Sequence, residues 1–351
     1  MAKEKKATKK KEFNFEALQE KFSSNDRYKD QEWLSIGESF YKASGVQIPL
    51  GGITQILGWS NTGKTTILSL AAVAAQKRGI LPVFLFTEQK FSFQHAKDMG
   101  LDCELKIRED GSEYWGGFML YKLGFEYIEQ IFDYIKELLD EQAAGNIPYD
   151  LLFLWDSVGT VPCKMSYDGK GGTMHTARVI KERWGESIAQ KIQASNKASY
   201  PYRNTAIIIN QPWFRLPDNP VMGQGTMQPK GGQAIYLSAN LVIRCGNQAH
   251  AGTSQISLVH KGRKVNFGIR TKVTVVKNHV HGLGYADSSI IAVPHGFIDD
   301  NPEAIKSYKS QYAEYWADIM RIGGDDEALL GDEVEFAEED IVTDIETEDM
   351  D

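Results

Sequence analysis

From Gly51 onward the hydrophobic positions fall into two alternating patterns. Short, nearly continuous apolar runs occur at ITQILG (53–58), PVFLFTE (82–88), DLLFLWDS (150–157) and TAIIIN (205–210). Between them lie longer stretches with an apolar residue every three or four positions: KTTILSLAAVAAQKRG (64–79), FEYIEQIFDYIKELLDEQ (125–142) and ARVIKERWGESIAQKIQ (177–193). The runs read as strands buried on both faces, the longer stretches as amphipathic helices. Their alternation predicts an α/β fold, a mostly parallel twisted sheet covered by helices on both faces. After residue 240 the pattern changes to NLVIRC (240–245), TSQISLVH (253–260) and RTKVTVVKN (270–278), β-branched runs between short polar turns that predict antiparallel additions to the sheet. Two flanking segments have helical spacing: EFNFEALQEKF, with Phe15, Leu18 and Phe22 at i, i+3 and i+7, and NPEAIKSYKSQYAEYWADIM (301–320). One stretch fits neither pattern. TAIIIN ends in two amides, Asn210 and Gln211, and about twenty residues up to Gly232 follow without periodicity, a length that in compact domains marks a functional or disordered loop. No internal repeat is present.

Composition changes this picture mainly through charge. The 351 residues carry 39 Lys or Arg and 47 Asp or Glu, a net charge of −8, yet residues 325–351 hold 14 of the acidic groups and no basic one. The remaining chain has 39 basic against 33 acidic side chains, a net of +6. A basic body with an acidic tail suggests a disordered tail, read either as a solubilising segment or, more sharply, as one that competes with a polyanion for the body. The first twelve residues are a lysine-rich tail with no apolar stretch after it, so no secretory signal is expected. No run approaches the ~20 apolar residues of a membrane span. Cys103, Cys163 and Cys245 lie far apart without metal-ligand spacing, which points to a reducing, cytosolic compartment and away from a structural metal.

The chemistry concentrates at strand ends. Gly58-Trp59-Ser60-Asn61-Thr62-Gly63-Lys64-Thr65 fits G-x4-G-K-[ST], after a buried strand and at the start of a helix, where that pattern forms a phosphate-binding loop. Its glycines let backbone N–H groups turn toward phosphate oxygens, the helix N-terminus adds its dipole, Lys64 reaches the terminal phosphates and Thr65 offers a hydroxyl to Mg²⁺. Thr66 continues the same turn. Asp156 follows five apolar residues and needs a cation or hydroxyl partner to be buried there; in phosphate-loop proteins that partner is the water shell of Mg²⁺ or the loop hydroxyl. The simpler reading is a helix cap. Glu88 stands at the end of another strand, on the edge where open α/β sheets bind ligands, placed to orient an attacking water; as a plain loop glutamate it would be solvated.

These tips, in the order phosphate loop, Glu88, Asp156 and Asn210-Gln211, resemble the RecA family of recombinases, including its phage UvsX-like members, over roughly residues 33–300. GWSNTGKTT, FLFTE, LLFLWDSVGTVP, IIINQ, PKGGQAIYLSANLVIR and RTKVTVVKN carry the resemblance. It implies a RecA-like ATPase core at 33–300, preceded by a basic tail and polymerisation helix (1–32) and followed by a short helix (301–324) and the acidic tail (325–351). It further implies that Lys64, Thr65 and Asp156 hold ATP and Mg²⁺, that Glu88 is the catalytic base and that Gln211 is a switch contacting the terminal phosphate. Two loops then lie along DNA. In the first, about Pro162–His175, Gly171 and Gly172 allow close approach of phosphates while Lys164, Lys170 and the nearby Arg178 supply charge. In the second, from Pro212 to about Gly232, Trp213, Phe214 and Arg215 stack on bases and Lys230, with Gly231 and Gly232, meets phosphate.

The chain departs from the family pattern in three places. Where members commonly present Lys-Asn-Lys to the ATP of a neighbouring subunit, this chain has Lys277, Asn278 and His279. His95 stands where a tyrosine often faces the adenine. Little chain follows Phe297, so the large C-terminal domain of bacterial members is expected to be absent, which favours a phage-like protein. The function implied is a DNA-dependent ATPase that forms helical filaments on single-stranded DNA and pairs it with homologous duplex in recombination and repair. Single-strand-binding or mediator proteins are further expected partners, and the expected location is the cytoplasm of a bacterium or infected host. The alternatives are a ring-forming, helicase-like motor of the same fold or a nucleotide-gated DNA-binding mediator.

Overall fold

The computed structural model describes residues 14–24, 26–215, 226–247, 250–260 and 263–315. The basic tail, the tip of the second loop, the end of the expected C-terminal helix and the acidic tail lie outside the described residues.

The first part of the chain forms α1 (Phe15–Phe22), β1 (Trp33–Leu34), α2 (Glu38–Ser44) and β2 (Ile48–Pro49). Asn14 caps α1, its side chain accepting from the Ala17 N–H. No residue of α1 is buried, and its apolar face stays exposed, with Phe22 at 72%. The alternating region follows as β3 (Ile53–Gly58), α3 (Lys64–Lys77), β4 (Leu81–Phe86), α4 (Phe93–Asp98), the hairpin β5 (Glu104–Ile107) and β6 (Glu113–Gly116), β7 (Leu120–Lys122), α5 (Ile128–Ala143) and β8 (Leu151–Val158). Next come α6 (Lys164–Tyr167), α7 (Thr173–Val179), a π-helical stretch at Ile180–Ile188, α8 (Ala189–Ala194) and β9 (Thr205–Asn210). The chain closes with β10 (Pro212–Arg215), β11 (Thr226–Pro229), α9 (Ala234–Ser238), β12 (Leu241–Cys245), β13 (Ser254–His260), β14 (Arg263–Asn278), β15 (Ser288–Val293), β16 (Gly296–Asp299) and α10 (Pro302–Gln311).

One ten-stranded sheet, in the order β16-β15-β14-β12-β3-β9-β8-β4-β7 with β13 on β14, organises the described residues. Strands β12, β3, β9, β8, β4 and β7 run parallel, and the pairs involving β13 to β16 are antiparallel. This is the expected α/β architecture. Alternate residues of each central strand enter different cores, as the two-residue period of a strand requires. Phe84, Phe86, Leu152, Leu154, Ile207 and Ile209 pack on the α3 side with Ile67, Leu68 and Ala71. Val83, Leu85, Phe153, Trp155 and Ile208 pack on the opposite side with Ile131, Phe132 and Ile135 of α5 and Trp184 of the π-helical stretch.

Two local expectations need correction. NLVIRC is not wholly an antiparallel addition: β12 runs parallel to β3 and antiparallel only to β14. Its composition signals a strand, but α9 carries the chain back so that β12 enters from the same end as β3. The stretch after Gln211 is not aperiodic throughout either, because Pro212 to Arg215 pair with Pro229 to Thr226 in an antiparallel ladder. A polar segment with three prolines between Pro212 and Pro220 hides so short a ladder.

Candidate functional site

The C-terminal ends of the parallel strands gather the predicted chemistry on one edge. Gly58 ends β3 against the neighbouring strand: a Cβ there would meet the Cys245 carbonyl oxygen at 2.5 Å and Thr62 Oγ1 at 2.7 Å. The loop turns through Trp59, Ser60, Asn61 and Thr62 to Gly63, whose φ of +83° starts α3 from the left-handed region. Thr62 Oγ1 donates to the Trp59 carbonyl at 2.8 Å, and Lys64 Nζ donates to that carbonyl as well. Lys64 is 7% exposed. Burial pushes its pKa down, opposed by the Cys245, Asp156 and Glu88 groups.

Parallel pairing of β4 with β8 sets Phe86 opposite Asp156, which brings the two strand-end carboxylates together. Asp156 Oδ2 accepts from Thr65 Oγ1 at 3.2 Å. Burial, reinforced by repulsion from Glu88, raises the Asp156 pKa from 3.8 to about 6, while the Thr65 hydroxyl and Lys64 act in the opposite sense. The peptide between Asp156 and Ser157 is cis. One oxygen of Glu88, Oε1, accepts two bonds: from Ser157 Oγ at 2.5 Å and from Gln211 Nε2 at 3.1 Å. Thr87 Oγ1 accepts from the Ser157 N–H at 2.9 Å and donates to the Ser157 carbonyl at 2.7 Å, and Thr160 Oγ1 lies within hydrogen-bonding distance of both Thr87 Oγ1 (2.5 Å) and the Ser157 carbonyl (2.9 Å), sharing one proton between them. The Thr87, Ser157 and Thr160 hydroxyls are absent from the sequence-based site. Their position beside the strand-end acids is the signal that could have found them.

A cleft of about 410 Å³ opens above the phosphate loop. Asn61 to Thr66 and His95 line it, and so do Gln255, the Asn266–Ile269 segment and the Ala292–Pro294 turn from the antiparallel strands. His95 sits on α4, whose Ser92 cap accepts from the His95 N–H. The donor set suits a nucleotide with a hydrated divalent cation. A hydroxyl–carboxylate pair, the exposed Thr65 and the half-buried Asp156, is the small protein contribution that Mg²⁺ takes beside substrate phosphates.

The structure does not bring Lys277 and His279 to this cleft. Leu241 pairs with Thr54 on one side and Asn278 on the other, so both residues lie at the end of the sheet opposite Gly58. Lys277 Nζ donates to the carbonyls of Tyr236 (2.9 Å) and Leu237 (3.2 Å), covers the Tyr236 ring, and has its pKa lowered by burial. His279 is exposed, its N–H bonded to the Asn240 carbonyl at 2.8 Å.

Both expected DNA loops leave the edge that carries the phosphate loop, from the adjacent strands β8 and β9. In the first, Lys164 Nζ lies 3.5 Å from Asp168 and over the Tyr127 ring, while Arg178 Nε donates to Glu182 at 2.7 Å. Lys170 is exposed, and Gly171 and Gly172 connect α6 to α7. In the second, Trp213, Phe214 and Arg215 pair through the backbone with Gln228, Met227 and Thr226. The Lys230 N–H donates to the Gln211 carbonyl at 3.2 Å, and its carbonyl accepts from Asn210 Nδ2 at 3.0 Å. Gly231 and Gly232 follow with φ of +76° and +81°. A Cβ on Gly231 would meet Ile180 at 2.6 Å and Val158 at 2.9 Å, so the two loops are packed together at their bases.

No family model matches the chain. Among curated proteins, it is similar to protein RecA of Streptococcus gordonii (29% identical over 236 residues, 66% of this chain and 52% of that protein). Protein RecA of Aquifex aeolicus is 28% identical over 240 residues, 67% of this chain and 58% of the relative. Protein RecA of Streptococcus agalactiae is 30% identical over 236 residues, 66% and 52% of the two chains. The chain spans between 52% and 58% of the length of these relatives.

Proposed function

The chain carries a RecA-family core, and from that premise we propose that it is an ATP-dependent DNA recombinase, which assembles on single-stranded DNA and pairs it with homologous duplex. The observation that carries the reading is the bond from Gln211 Nε2 to Glu88. The same residue leads directly into the β10–β11 hairpin, so a single amide joins the hydrolytic carboxylate to the base of a candidate DNA loop.

In this reading the phosphate-loop N–H groups and Lys64 hold the ATP phosphates, and Thr65 and Asp156 hold Mg²⁺. When bound, Mg²⁺ neutralises phosphate charge. Glu88 orients a water and accepts its proton at Oε2, while Ser157 Oγ holds the other oxygen. Gln211 exchanges Glu88 for the terminal phosphate, and the hairpin follows, so ATP favours the DNA-gripping state. Lys170, Gly171, Gly172, Lys230, Gly231 and Gly232 meet the DNA backbone, with Trp213, Phe214 and Arg215 at the bases. Lys164 and Arg178 join them by exchanging Asp168 and Glu182 for phosphate; exposed ion pairs are worth ~1 kcal/mol or less, so the exchange is cheap. Lys277 and His279, remote from their own cleft, face the nucleotide of a neighbouring subunit, and the exposed face of α1 docks on another copy.

Electron microscopy with ATP and single-stranded DNA tests this reading. Nucleotide-dependent helical filaments are expected; closed rings, or DNA-bound particles that do not polymerise, would overturn it.

A further inference from the structure

The phosphate loop accounts for only one part of the 410 Å³ cleft. If the phosphates lie on Lys64 and Thr65, as proposed above, the base and sugar occupy the remainder, between His95 and the β13–β14 hairpin. That hairpin is irregular at this position. Ile256 pairs with Gly268 and Ser257 with Asn266, which leaves Phe267 as an extra residue in β14. A bulge of this kind re-aims the neighbouring side chains. Here it sets Asn266 within reach of both Ser257 and Gln255, across the ladder and on its diagonal. Ser257 Oγ donates to Asn266 Oδ1 at 2.7 Å, and Asn266 Nδ2 donates to Gln255 Oε1. The relay leaves the Gln255 Nε2 amide with no acceptor among the described residues and its Oε1 with a second lone pair. Gln255 and Asn266 both line the cleft.

A glutamine carboxamide presented in this way matches one purine edge. Its oxygen accepts from the adenine N6 amino group and its nitrogen donates to N7; guanine would set O6 against the same oxygen. We propose that Gln255, oriented by Asn266 and Ser257, reads the N6/N7 edge of adenine and makes the cleft selective for ATP over GTP. The inference rests on the reading of the cleft as a nucleotide site. Gln255 contacts the base; Asn266 and Ser257 are positioning residues. The bulge, and not any sequence motif near the phosphate loop, creates the subsite.

The test measures dissociation constants of ATP, GTP, 7-deaza-ATP and inorganic tripolyphosphate for the full chain and for Gln255→Leu and Asn266→Leu. Wild type is expected to prefer ATP to GTP by about ten- to a hundredfold, the range of a good bidentate contact. It should also lose affinity when N7 is replaced by carbon. In Gln255→Leu both differences should collapse toward one, with Asn266→Leu intermediate, while tripolyphosphate affinity stays unchanged and reports an intact phosphate loop. An unchanged ATP/GTP ratio and an unchanged 7-deaza penalty in Gln255→Leu would overturn the proposal while leaving the phosphate site standing. Failure of wild type to bind any nucleotide or tripolyphosphate would instead overturn the reading of the cleft itself, and this inference with it.

Discussion

Asp156 and Glu88 share a strand edge but sit in different surroundings, and this difference decides what substitutions at each should do. The Asp156 pKa is raised by burial and by Glu88 from 3.8 to about 6. A carboxyl raised in the folded state contributes stability that is present below the unfolded pKa and lost as pH rises through the folded one. At pH 7 the ionised Asp156 therefore weighs against the ligand-free fold by on the order of 3 kcal/mol, two pKa units at 1.36 kcal/mol each. Asp156→Asn is expected to raise the thermal midpoint of the nucleotide-free protein at pH 7.5, with the gain shrinking as pH falls through 6 and disappearing below about 4. Calorimetry across that range checks it, and a gain independent of pH would show that Asp156 is not ionised against a burial penalty. Glu88 is poised differently, half-buried and holding two donated hydrogen bonds. Glu88→Gln should leave ATP and DNA binding intact and lower turnover by about 10² or more, the scale of a lost general base. Ser157→Ala, which frees the base without removing it, should lower kcat by less and leave KM for ATP unchanged. Steady-state hydrolysis assays decide both, and near-normal turnover in Glu88→Gln would move the base elsewhere.

At the scale of elements, β9 and the β10–β11 hairpin form one continuous lever. Its apolar residues Ala206 to Ile209 are all buried, so the strand is anchored in both cores, while the half-buried Gln211 stands just past its end and the ladder begins one residue later. Under the proposed function, a shift of the Gln211 side chain from Glu88 to a phosphate would be passed to the hairpin rather than absorbed by the strand. Gln211→Ala is expected to abolish the tightening of single-stranded DNA binding by a non-hydrolysable ATP analogue, while nucleotide affinity remains within a few-fold of wild type. DNA affinities with and without the analogue, in both proteins, measure the coupling; equal enhancement in the two would exclude Gln211 as the switch.

For the molecule as a whole the dominant feature is its charge partition, a body of net +6 joined to 14 carboxylates in the last 27 residues. A polyanion tethered to the surface proposed to meet DNA would act as a competitor at high local concentration. Deleting residues 325–351 should speed association with duplex DNA, most at low ionic strength, because the competition is electrostatic and screened by salt. Stopped-flow association at two salt concentrations reads this directly, and identical rates at low salt would assign the tail another role. No helix among the described residues is long and apolar enough to cross a membrane.

Local order along the chain was enough to determine a good part of this protein. The two-residue and three-to-four-residue periods identified the central strands and helices. The candidate phosphate loop was legible as a motif because its eight residues are contiguous, and the candidates Glu88, Asp156 and Gln211 were marked by polar groups ending apolar runs. Partners far apart in sequence were decided only by the tertiary structure. The parallel entry of β12 depends on the crossover through α9, and the convergence of Ser157 and Gln211 on one oxygen of Glu88 depends on β8 lying between β4 and β9. The register of β14 puts Lys277 and His279 at the far end of the sheet, and the Phe267 bulge turns Asn266 toward Gln255, nearly 200 residues from the loop whose cleft they share. A strand's composition records that it is buried, whereas its direction, register and bulges are set by hydrogen bonds to other strands, which no local pattern encodes.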